Sequence, residues 1–235
     1  MPIAIIPARG GSKRIPRKNI REFCGMPMIA WSIKAAKESQ CFDHIIVSTD
    51  DKEIASVAET YGASVPFLRP RTLADDYTAT APVIAHAINW LLGENVHVDD
   101  VCCIYATAPF IRSSDIRRGL ERLRESGCDY TFPVTGFAYP IQRALRIKTD
   151  GCVAMFHPEE FASRSQDLEE AFHDAGQFYW GRTGVWLEDR PAFSANSVPI
   201  RLPRHQVQDI DTQEDWERAE LMFRAMSLVG SRGET

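Results

Sequence analysis

Apolar residues in the first half of the chain fall into short continuous runs separated by stretches with helical spacing. The runs predict buried strands over residues 3–7, 44–49, 63–68, 101–106 and 129–134. Between them, a helical period predicts helices over residues 27–39, 52–61, 80–92 and 115–126. Alternating buried strands and helices are typical of a parallel sheet covered on both faces. The pattern therefore predicts an α/β fold with a mostly parallel central sheet.

The second half of the chain breaks this rhythm. Short strands are predicted over residues 144–148 and 152–155, an acidic helix over 166–173, and a further strand over 181–187. An amphipathic helix is predicted over residues 212–226. It starts at Thr212, and Asp215 lies three positions later, close to the capping-box pattern. Residues 230–235 are expected to be frayed. We expect one domain over 1–235, with an insertion at about 136–174.

Composition narrows the class of protein. A chain of 235 residues with 44% hydrophobic and 25% charged residues is ordinary for a soluble globular protein. No apolar stretch approaches the length of a membrane helix or of a signal peptide, and the six cysteines form no CxxC pair. We therefore expect a cytoplasmic protein with reduced thiols and no membrane partner. A net charge of -5 argues against nucleic acid as a partner.

Although the net charge of the whole chain is negative, the loop after the first predicted strand is basic and contains two glycines. In PARGGSKRIPRKNI, six Lys or Arg residues fall between Arg9 and Arg21 with no acidic residue among them. Gly10 and Gly11 let the backbone approach a ligand closely, and successive amides can form an anion-binding nest. The loop matches neither the Walker pattern nor GxGxxG. It predicts a site for several phosphates, and a solvated basic loop is the alternative.

Two carboxylates near the end of the chain are the candidate metal ligands. Asp209 and Asp211 are separated by one residue, so in an extended segment their side chains point the same way. Such a pair suits Mg²⁺, which binds one or two carboxylates together with substrate phosphate oxygens. The alternative is that Asp211 or Thr212 caps the terminal helix.

Other polar or aromatic residues near predicted strand ends are candidates with open alternatives. Asp51 is expected to cap the next helix, and Arg69 either reads a base edge or neutralises phosphate. Thr78 and Thr80 either cap a helix or contact a ligand. The segment 105–112 offers polar groups to a second substrate, and the aromatic stretch 177–186 forms either core or the wall of a sugar pocket. We name Tyr105, Thr107 and Trp180 as candidates for sugar binding.

Several stretches together resemble one family. IAIIPARGGSKRIPRKNI, CGMPMIAWSI, CFDHIIVSTDD, FLRPRTLADD and DIDT are similar, in this order, to the sugar nucleotidyltransferases that make CMP-activated acid sugars. The resemblance extends to about residue 226. It implies a Rossmann-like fold of the nucleotide-diphospho-sugar transferase type, with a small inserted dimerisation segment. Each stretch alone is unspecific, whereas the ordered set is specific.

The resemblance also implies roles for individual residues. Arg9 and Lys18 would hold a triphosphate, and with Asp211 they are the candidate catalytic residues. The remaining nucleotide contacts are expected from Ala8, Gly10, Gly11, Ser12, Lys13, Asn19, Arg69, Thr78 and Thr80. Asp209 and Asp211 would carry Mg²⁺. Tyr105 stands where enzymes for sialic acid tend to have Gln. Among the six basic residues, we expect Arg9 and Lys18, then Lys13, to touch phosphate, and Arg14, Arg17 and Arg21 to face solvent or support the loop.

The implied activity is transfer of CMP from CTP to a nine-carbon acid sugar, with release of pyrophosphate. Pseudaminic acid is the favoured sugar, and sialic and legionaminic acids are the alternatives. The family further implies a homodimer in which the inserted segment exchanges contacts. A sugar transferase that uses a nucleotide donor is a neighbouring alternative, since many carry a DxD pair. A non-catalytic nucleotide-binding protein is another, although it needs no acidic pair.

Overall fold

A computed structural model describes residues 1–230 of the chain. In chain order, the strands and α-helices are β1 (Ile3–Pro7), β2 (Glu22–Phe23), β3 (Met26–Pro27), α1 (Met28–Ser39), β4 (His44–Ser48), α2 (Lys52–Thr60), α3 (Thr80–Gly93), β5 (Asp100–Ile104), α4 (Ser113–Ser126), β6 (Tyr130–Gly136), β7 (Leu145–Ile147), β8 (Val153–Met155), β9 (Phe172–Asp174), β10 (Phe178–Arg182), α5 (Thr183–Leu187), β11 (Ser197–Arg201) and α6 (Gln213–Gly230). No described helix is long and apolar enough to cross a membrane.

The central sheet has seven strands in the order β11-β6-β10-β5-β1-β4, with β9 paired to β6. β1 pairs in parallel with both β4 and β5, and β11 pairs in parallel with β6. β10 is antiparallel to β5 and β6, and β9 is antiparallel to β6. Five of the seven strands therefore run in one direction, which confirms the predicted mostly parallel α/β sheet.

Helices cover both faces of this sheet. Apolar residues of α1, α2 and α4 pack on one face, and those of α3 and α5 pack on the other. Because side chains alternate along a strand, neighbours on β10 enter different cores: Trp180 lies on the α4 side and Tyr179 on the α3 side. Trp216 of α6 packs against Ile15 and Phe23 in a third cluster. This cluster joins the basic loop to α6.

Two of the predicted strands are wrong. Residues 63–68 form only isolated bridges, at Ser64 and Leu68, because Pro66 has no amide hydrogen for a continuous ladder. The segment 181–187 is largely the helix α5, whose Val185 and Trp186 are buried. The adjoining strand, β10, begins earlier, at Phe178.

The acidic helix predicted over residues 166–173 is also wrong. That stretch holds a single 3-10 turn, Ser165–Asp167, followed by β9. Its apolar residues are too few to form a stripe that could bury a helix face. Strand β11 was not predicted. The other predicted helices and strands are present, with ends shifted by a few residues. Of the tail expected to be frayed, residues 231–235 lie outside the described residues.

Candidate active site

A basic pocket lies where the parallel strands β1 and β5 end, and Pro7 and Tyr105 line it. Ligands of open α/β sheets bind at this edge, outside the carboxyl ends of the strands. From the basic loop the pocket is lined by Arg9, Ser12, Lys13, Lys18 and Asn19. Of the other predicted site residues it is lined by Arg69, Thr78, Thr80, Tyr105, Thr107 and Asp211. The structure thus brings most of the candidates to one place, while their contacts with a ligand stay a prediction.

The basic loop is held in shape by its own hydrogen bonds and by a close approach to Asp51. Arg17 adopts a left-handed conformation, with a φ of 57°. The side-chain amide of Asn19 donates to the Arg9 carbonyl at 2.9 Å. A Cβ on Gly10 would lie 2.6 Å from the Asp51 carboxylate, so this position requires glycine. Asn19 and Gly10 therefore fix the path of the loop.

Each of the six loop cations has a protein anion or ring as its partner. Arg9 lies 2.9 Å from Asp76, and Lys13 binds the same carboxylate. The carboxylate of Asp211 forms ion pairs with Arg14 at 3.0 Å and with Lys18 at 3.4 Å.

Two of the cations point away from the pocket. Arg17 binds Asp51 and Glu53, and Arg21 lies over the Trp216 ring. The expectation that Arg17 and Arg21 support the loop agrees with these contacts. Arg14 is different, since it lines the pocket and pairs with Asp211.

Asp51 anchors the loop to α2. Its carboxylate accepts hydrogen bonds from the amides of Glu53 and Ile54, so it caps α2 as the sequence predicts. Partial burial would raise the pKa of Asp51, but the hydrogen bonds from Arg17, Ile54 and Glu53 outweigh it and lower the pKa below its ordinary value. The ionised form of Asp51 is therefore the form that the fold stabilises.

Arg69 presents unused hydrogen-bond donors inside the pocket. Its side chain is only 4% exposed, and its nearest anion, Asp50, is 3.8 Å away. The Nε and Nη2 atoms are buried and have no hydrogen-bond partner among the described residues. Burial lowers the pKa of Arg69. Because buried donors are almost always satisfied, this guanidinium indicates a ligand that accepts its hydrogen bonds.

Helix α3 begins at the pocket without a side-chain cap. The residue before its first turn is Ala79, and the Thr78 hydroxyl instead donates to Asp75 at 2.7 Å. Thr78 and Thr80 line the pocket, so the capping alternative is wrong for both. The free amides of the first turn add a positive partial charge at this edge.

The two acidic candidates border different pockets. Asp211 lines the basic pocket, whereas Asp209 lines a neighbouring side pocket together with Tyr105, His173, Asp174, Gly176 and Gln208. The side chain of Asp211 does not cap α6. Thr212 and Asp215 form the capping box instead, with the Asp215 amide donating to the Thr212 hydroxyl at 3.2 Å.

The donor set suits a metal that takes part of its coordination from a substrate. Among the described residues there is no group of three or more His, Cys, Asp or Glu side chains that could hold a metal by itself. Asp209 and Asp211 supply at most two carboxylates, which is the number that Mg²⁺ uses beside phosphate oxygens. The residues present therefore fit Mg²⁺.

Tyr105 separates the basic pocket from the side pocket and lines both. Its ring lies 5.8 Å from the ring of Tyr179, and burial raises the pKa of Tyr105 to about 12. The Tyr179 hydroxyl in turn donates to Asp174, and burial raises its pKa as well. Asp174 was not predicted from the sequence, and Tyr179 was named only as part of the aromatic stretch 177–186.

Three predicted contacts are corrected by the structure. Trp180 cannot touch a sugar, because it is fully buried, stacks on Phe42 and donates to the Ile116 carbonyl. Ala8 is buried and its amide donates to Ser48.

The two glycines also lie outside the pocket lining. The Gly10 amide already donates to Asp50 at 3.0 Å, so it is not free for phosphate. Gly11 has open space where a Cβ would lie, so packing does not require a glycine there, and its contact with a nucleotide stays a prediction.

Fold and pocket together define an α/β protein with a basic site at the carboxyl ends of its parallel strands. A sequence profile described as Cytidylyltransferase matches residues 3–225, and the chain belongs to this family. The chain is 46% identical over 222 residues to the pseudaminic acid cytidylyltransferase of Campylobacter jejuni, covering 94% of this chain and 96% of that one. It is 35% identical to the CMP-N,N'-diacetyllegionaminic acid synthase of Legionella pneumophila, covering 94% and 95% of the two chains.

A solved structure supports the fold. The CMP:2-keto-3-deoxy-manno-octonic acid synthetase complexed with CTP superposes with a TM-score of 0.69 and covers 96% of this chain and 99% of the other. Sequence identity in this comparison is 16%, so it speaks for the fold alone. The predicted family and fold class are confirmed.

Proposed function

We propose that the protein transfers CMP from CTP to pseudaminic acid and releases pyrophosphate. The observation that carries this proposal is the basic pocket at the strand ends, where Arg9, Lys13, Lys18 and the unsatisfied Arg69 face one cavity. Similarity to the Campylobacter jejuni enzyme supports pseudaminic acid as the sugar. Legionaminic and sialic acids are the alternatives, and similarity to the Legionella pneumophila enzyme favours the first of them.

CTP would bind with its phosphates on the basic loop and its base near Arg69. Lys18 is only 15% exposed, so its charge is poorly screened by solvent and acts strongly on a bound phosphate. When CTP binds, Arg9 and Lys13 would release the Asp76 carboxylate and bind the β- and γ-phosphates. The free N–H groups of Arg69 donate to acceptors on the cytosine ring.

The reaction is an in-line displacement at the α-phosphorus. The anomeric hydroxyl oxygen forms the new bond to this phosphorus, the bond to the β-phosphate bridge oxygen breaks, and pyrophosphate leaves. Positioning and charge neutralisation carry most of the catalysis in such reactions. Arg9 and Lys18 offset the charge that builds on pyrophosphate. We assign Asp211 to accept the proton, because it lines the basic pocket.

Asp209 and Asp211 are the residues that would hold Mg²⁺. A bound ion would supply positive charge beside the phosphate oxygens. Arg14 and Lys18 fix the carboxylate of Asp211 before substrate arrives. The acid sugar would enter the side pocket, with Tyr105 and Thr107 between it and the nucleotide.

We further propose a homodimer that forms through the segment 136–174, which we regard as an insertion in a single domain. Large apolar side chains of this segment are exposed: Phe137, Tyr139, Ile141, Leu145, Ile147, Val153, Phe156 and Phe161. A cluster of this kind marks an interaction surface. All six cysteines are free thiols, which supports a place in the cytoplasm, where thiols stay reduced.

A substrate panel tests the proposal. The purified protein is incubated with Mg²⁺ and each of the nucleoside triphosphates, crossed with pseudaminic, legionaminic and sialic acids, and pyrophosphate release is measured. We expect release with CTP and highest kcat/KM with pseudaminic acid. A higher kcat/KM with another acid sugar would overturn the choice of sugar, and no release with any pair would overturn the activity.

A further inference from the structure

Gln177 lies directly before β10, and only 3% of it is exposed. Its side-chain Nε2 donates to the backbone carbonyl of Gln206 at 2.7 Å. Because a carbonyl only accepts, this contact fixes which end of the Gln177 amide faces Gln206. The Oε1 atom is buried and has no hydrogen-bond partner among the described residues. The bond to Gln206 is therefore what the amide of Gln177 contributes to the fold.

The backbone of Gln177 makes a second connection. Its carbonyl accepts from the amide of Tyr105 at 2.9 Å, directly after the end of β5. The carbonyl of Tyr105 accepts in turn from the Ser32 hydroxyl at 2.7 Å, and Ser32 is fully buried on α1. The backbone of Tyr105 is thus held at both its N–H and its carbonyl. Gln177 therefore joins the end of β5 to the chain around Gln206.

Three stretches of chain form the walls of the side pocket. They are Tyr105, residues 173–176 and residues 207–209. Gln177 follows the second wall directly in the sequence, and it bonds to the first wall through its backbone carbonyl. Its side chain bonds to the residue immediately before the third wall. One buried residue thus connects all three walls of the pocket that the proposed function gives to the acid sugar.

Asp209 lies in an irregular stretch between the 3-10 turn Arg204–Gln206 and α6. Because this stretch is outside every helix and strand, its position depends on how its two ends are held. At the far end, the Asp215 carboxylate of α6 accepts from the Asp211 amide at 3.1 Å. At the near end lies the carbonyl that Gln177 holds. The position of Asp209 therefore depends on Gln177, whereas that of Asp211 depends on α6.

We propose that Gln177 is a positioning residue, which holds the three walls of the side pocket together and sets the position of Asp209. The inference rests on the proposed function where it concerns the acid sugar and Mg²⁺, whereas the link between the walls is a property of the fold. Gln177 lines neither pocket, so it acts through the carbonyl of Gln206 and the amide of Tyr105.

Two substitutions of buried hydrogen-bond donors make a matched pair. Gln177→Met keeps the approximate volume of the side chain and removes its donor. Thr131→Val removes another buried donor, the hydroxyl that bonds to the Gly119 carbonyl at 2.9 Å, and Thr131 lines neither pocket. Each change removes one buried hydrogen bond, so both should lower the Tm by a similar amount. Differences between the two variants then report position in the fold rather than lost stability.

Amide hydrogen exchange, followed by NMR in the protein without ligands, tests the link itself. In Gln177→Met, the amides of Gln206 and Val207 should exchange at least about 10-fold faster than in Thr131→Val, since local opening becomes easier. The amide of Tyr105 should keep its rate, because its partner is the backbone of residue 177. Equal exchange at Gln206 and Val207 in the two variants would overturn the inference, whatever the activity of the enzyme.

Kinetics at saturating Mg²⁺ test the consequence for the reaction. We expect Gln177→Met to raise the KM for the acid sugar about 10-fold, because small displacements of positioning groups weaken productive binding strongly. The KM for CTP should stay within about threefold, because the cations of the basic loop do not depend on this link. A Mg²⁺ titration should show a higher concentration for half-maximal rate. Thr131→Val should change none of these quantities.

An equal rise in the KM for CTP and for the acid sugar would show general loosening and overturn the inference, while leaving the proposed function intact. If Gln177→Met does not fold, Gln177→Glu gives the same comparison, since it keeps the shape and replaces the donor with an acceptor. Absence of pyrophosphate release by the wild type with every acid sugar would reject the proposed function. Hydrogen exchange would still decide whether Gln177 holds the walls together.

Discussion

The guanidinium of Arg9 lies 2.9 Å from the carboxylate of Asp76, and the Arg9 side chain also donates to the Asp75 carbonyl at 2.6 Å. Lys13 binds the same Asp76 carboxylate. Hydrogen bonding to Lys13 and the charges of Lys13 and Arg9 lower the pKa of Asp76. Asp76 is thus paired with Arg9 and Lys13, the cations that bind phosphate in the proposed function. CTP would have to displace the Asp76 carboxylate to bind them.

Replacement of Asp76 by Asn is expected to tighten CTP binding. Because Asp76 is exposed, the pair is weak, and we expect the Kd for CTP to fall about two- to fivefold at low salt. The difference should shrink as salt is added, since salt screens exposed charges. Calorimetric titration with CTP measures it. Asp167→Asn, which removes an exposed partner of Arg164, is the control. Weaker binding in Asp76→Asn would show that this carboxylate assists CTP instead.

Replacement of Arg9 by Ala is expected to lower kcat by about 10²-fold or more, the usual effect of losing one preorganised charge-stabilising group. The reason is the charge that develops on the departing pyrophosphate. Steady-state kinetics at saturating CTP measure the loss. Arg122→Ala, at an exposed position of α4 outside the basic pocket, should leave kcat unchanged. A near-normal kcat in Arg9→Ala would show that Arg9 does not stabilise the charge on the leaving pyrophosphate.

Replacement of Asp209 or Asp211 by Ala is expected to change the dependence of activity on Mg²⁺. Each variant should need a higher Mg²⁺ concentration for half-maximal rate, because one ligand of the ion is lost. Activity measured across a Mg²⁺ titration tests this. Asp43→Ala, which removes an exposed carboxylate outside both pockets, is the control. Turnover within a few-fold of wild type at every Mg²⁺ concentration in both variants would end the metal assignment.

Asp51 should make stability depend on acid pH. Its folded-state pKa is lowered below the ordinary 3.8, so its contribution is fully present above that value and is lost as pH falls through the folded pKa. Asp51→Ala removes the cap of α2 and should cost about 1 kcal/mol at pH 7. Urea unfolding at pH 7 and near pH 3 measures the difference. A cost that stays constant down to the lowest pH would contradict the role of the ionised carboxylate.

The proposed dimer can be broken at the hairpin formed by β7 and β8. Ile147 is 79% exposed, and Ile147→Glu would place a charge in an apolar interface. We expect the wild type to sediment as a dimer and this variant to shift toward monomer. Lys148→Glu, next to it, tests whether charge alone has the effect. A wild type that is monomeric at micromolar concentration would reject the dimer.

Local sequence patterns were sufficient to predict most strands of the central sheet and the position of the basic pocket. The continuous apolar run of β1 followed by a glycine-containing basic loop predicts both a buried strand and an anion site at its end. The helix prediction for the acidic stretch 166–173 was wrong because charge composition does not distinguish a helix from an exposed loop. The strand prediction for the segment after β10 was wrong because aromatic residues are as common in strands as on the buried face of a short helix such as α5.

Side-chain direction could not be read from the sequence. Tyr179 and Trp180 are neighbours of similar character, yet alternation along β10 sends them into different cores on opposite faces of the sheet. The pairing of Arg14 with Asp211 was missed for a related reason, since it depends on a contact between distant segments.

Lys18 and Asp211 meet although they are separated by 193 positions. Arg21 and Gln213 join the same two segments at 2.8 Å. During biosynthesis, the ribosome therefore exposes the basic loop long before the carboxylates that complete the site have been made. A chain interrupted before Asp209 would carry the basic loop without the carboxylates of the proposed site. Catalytic activity in this protein thus reports that translation has passed residue 211.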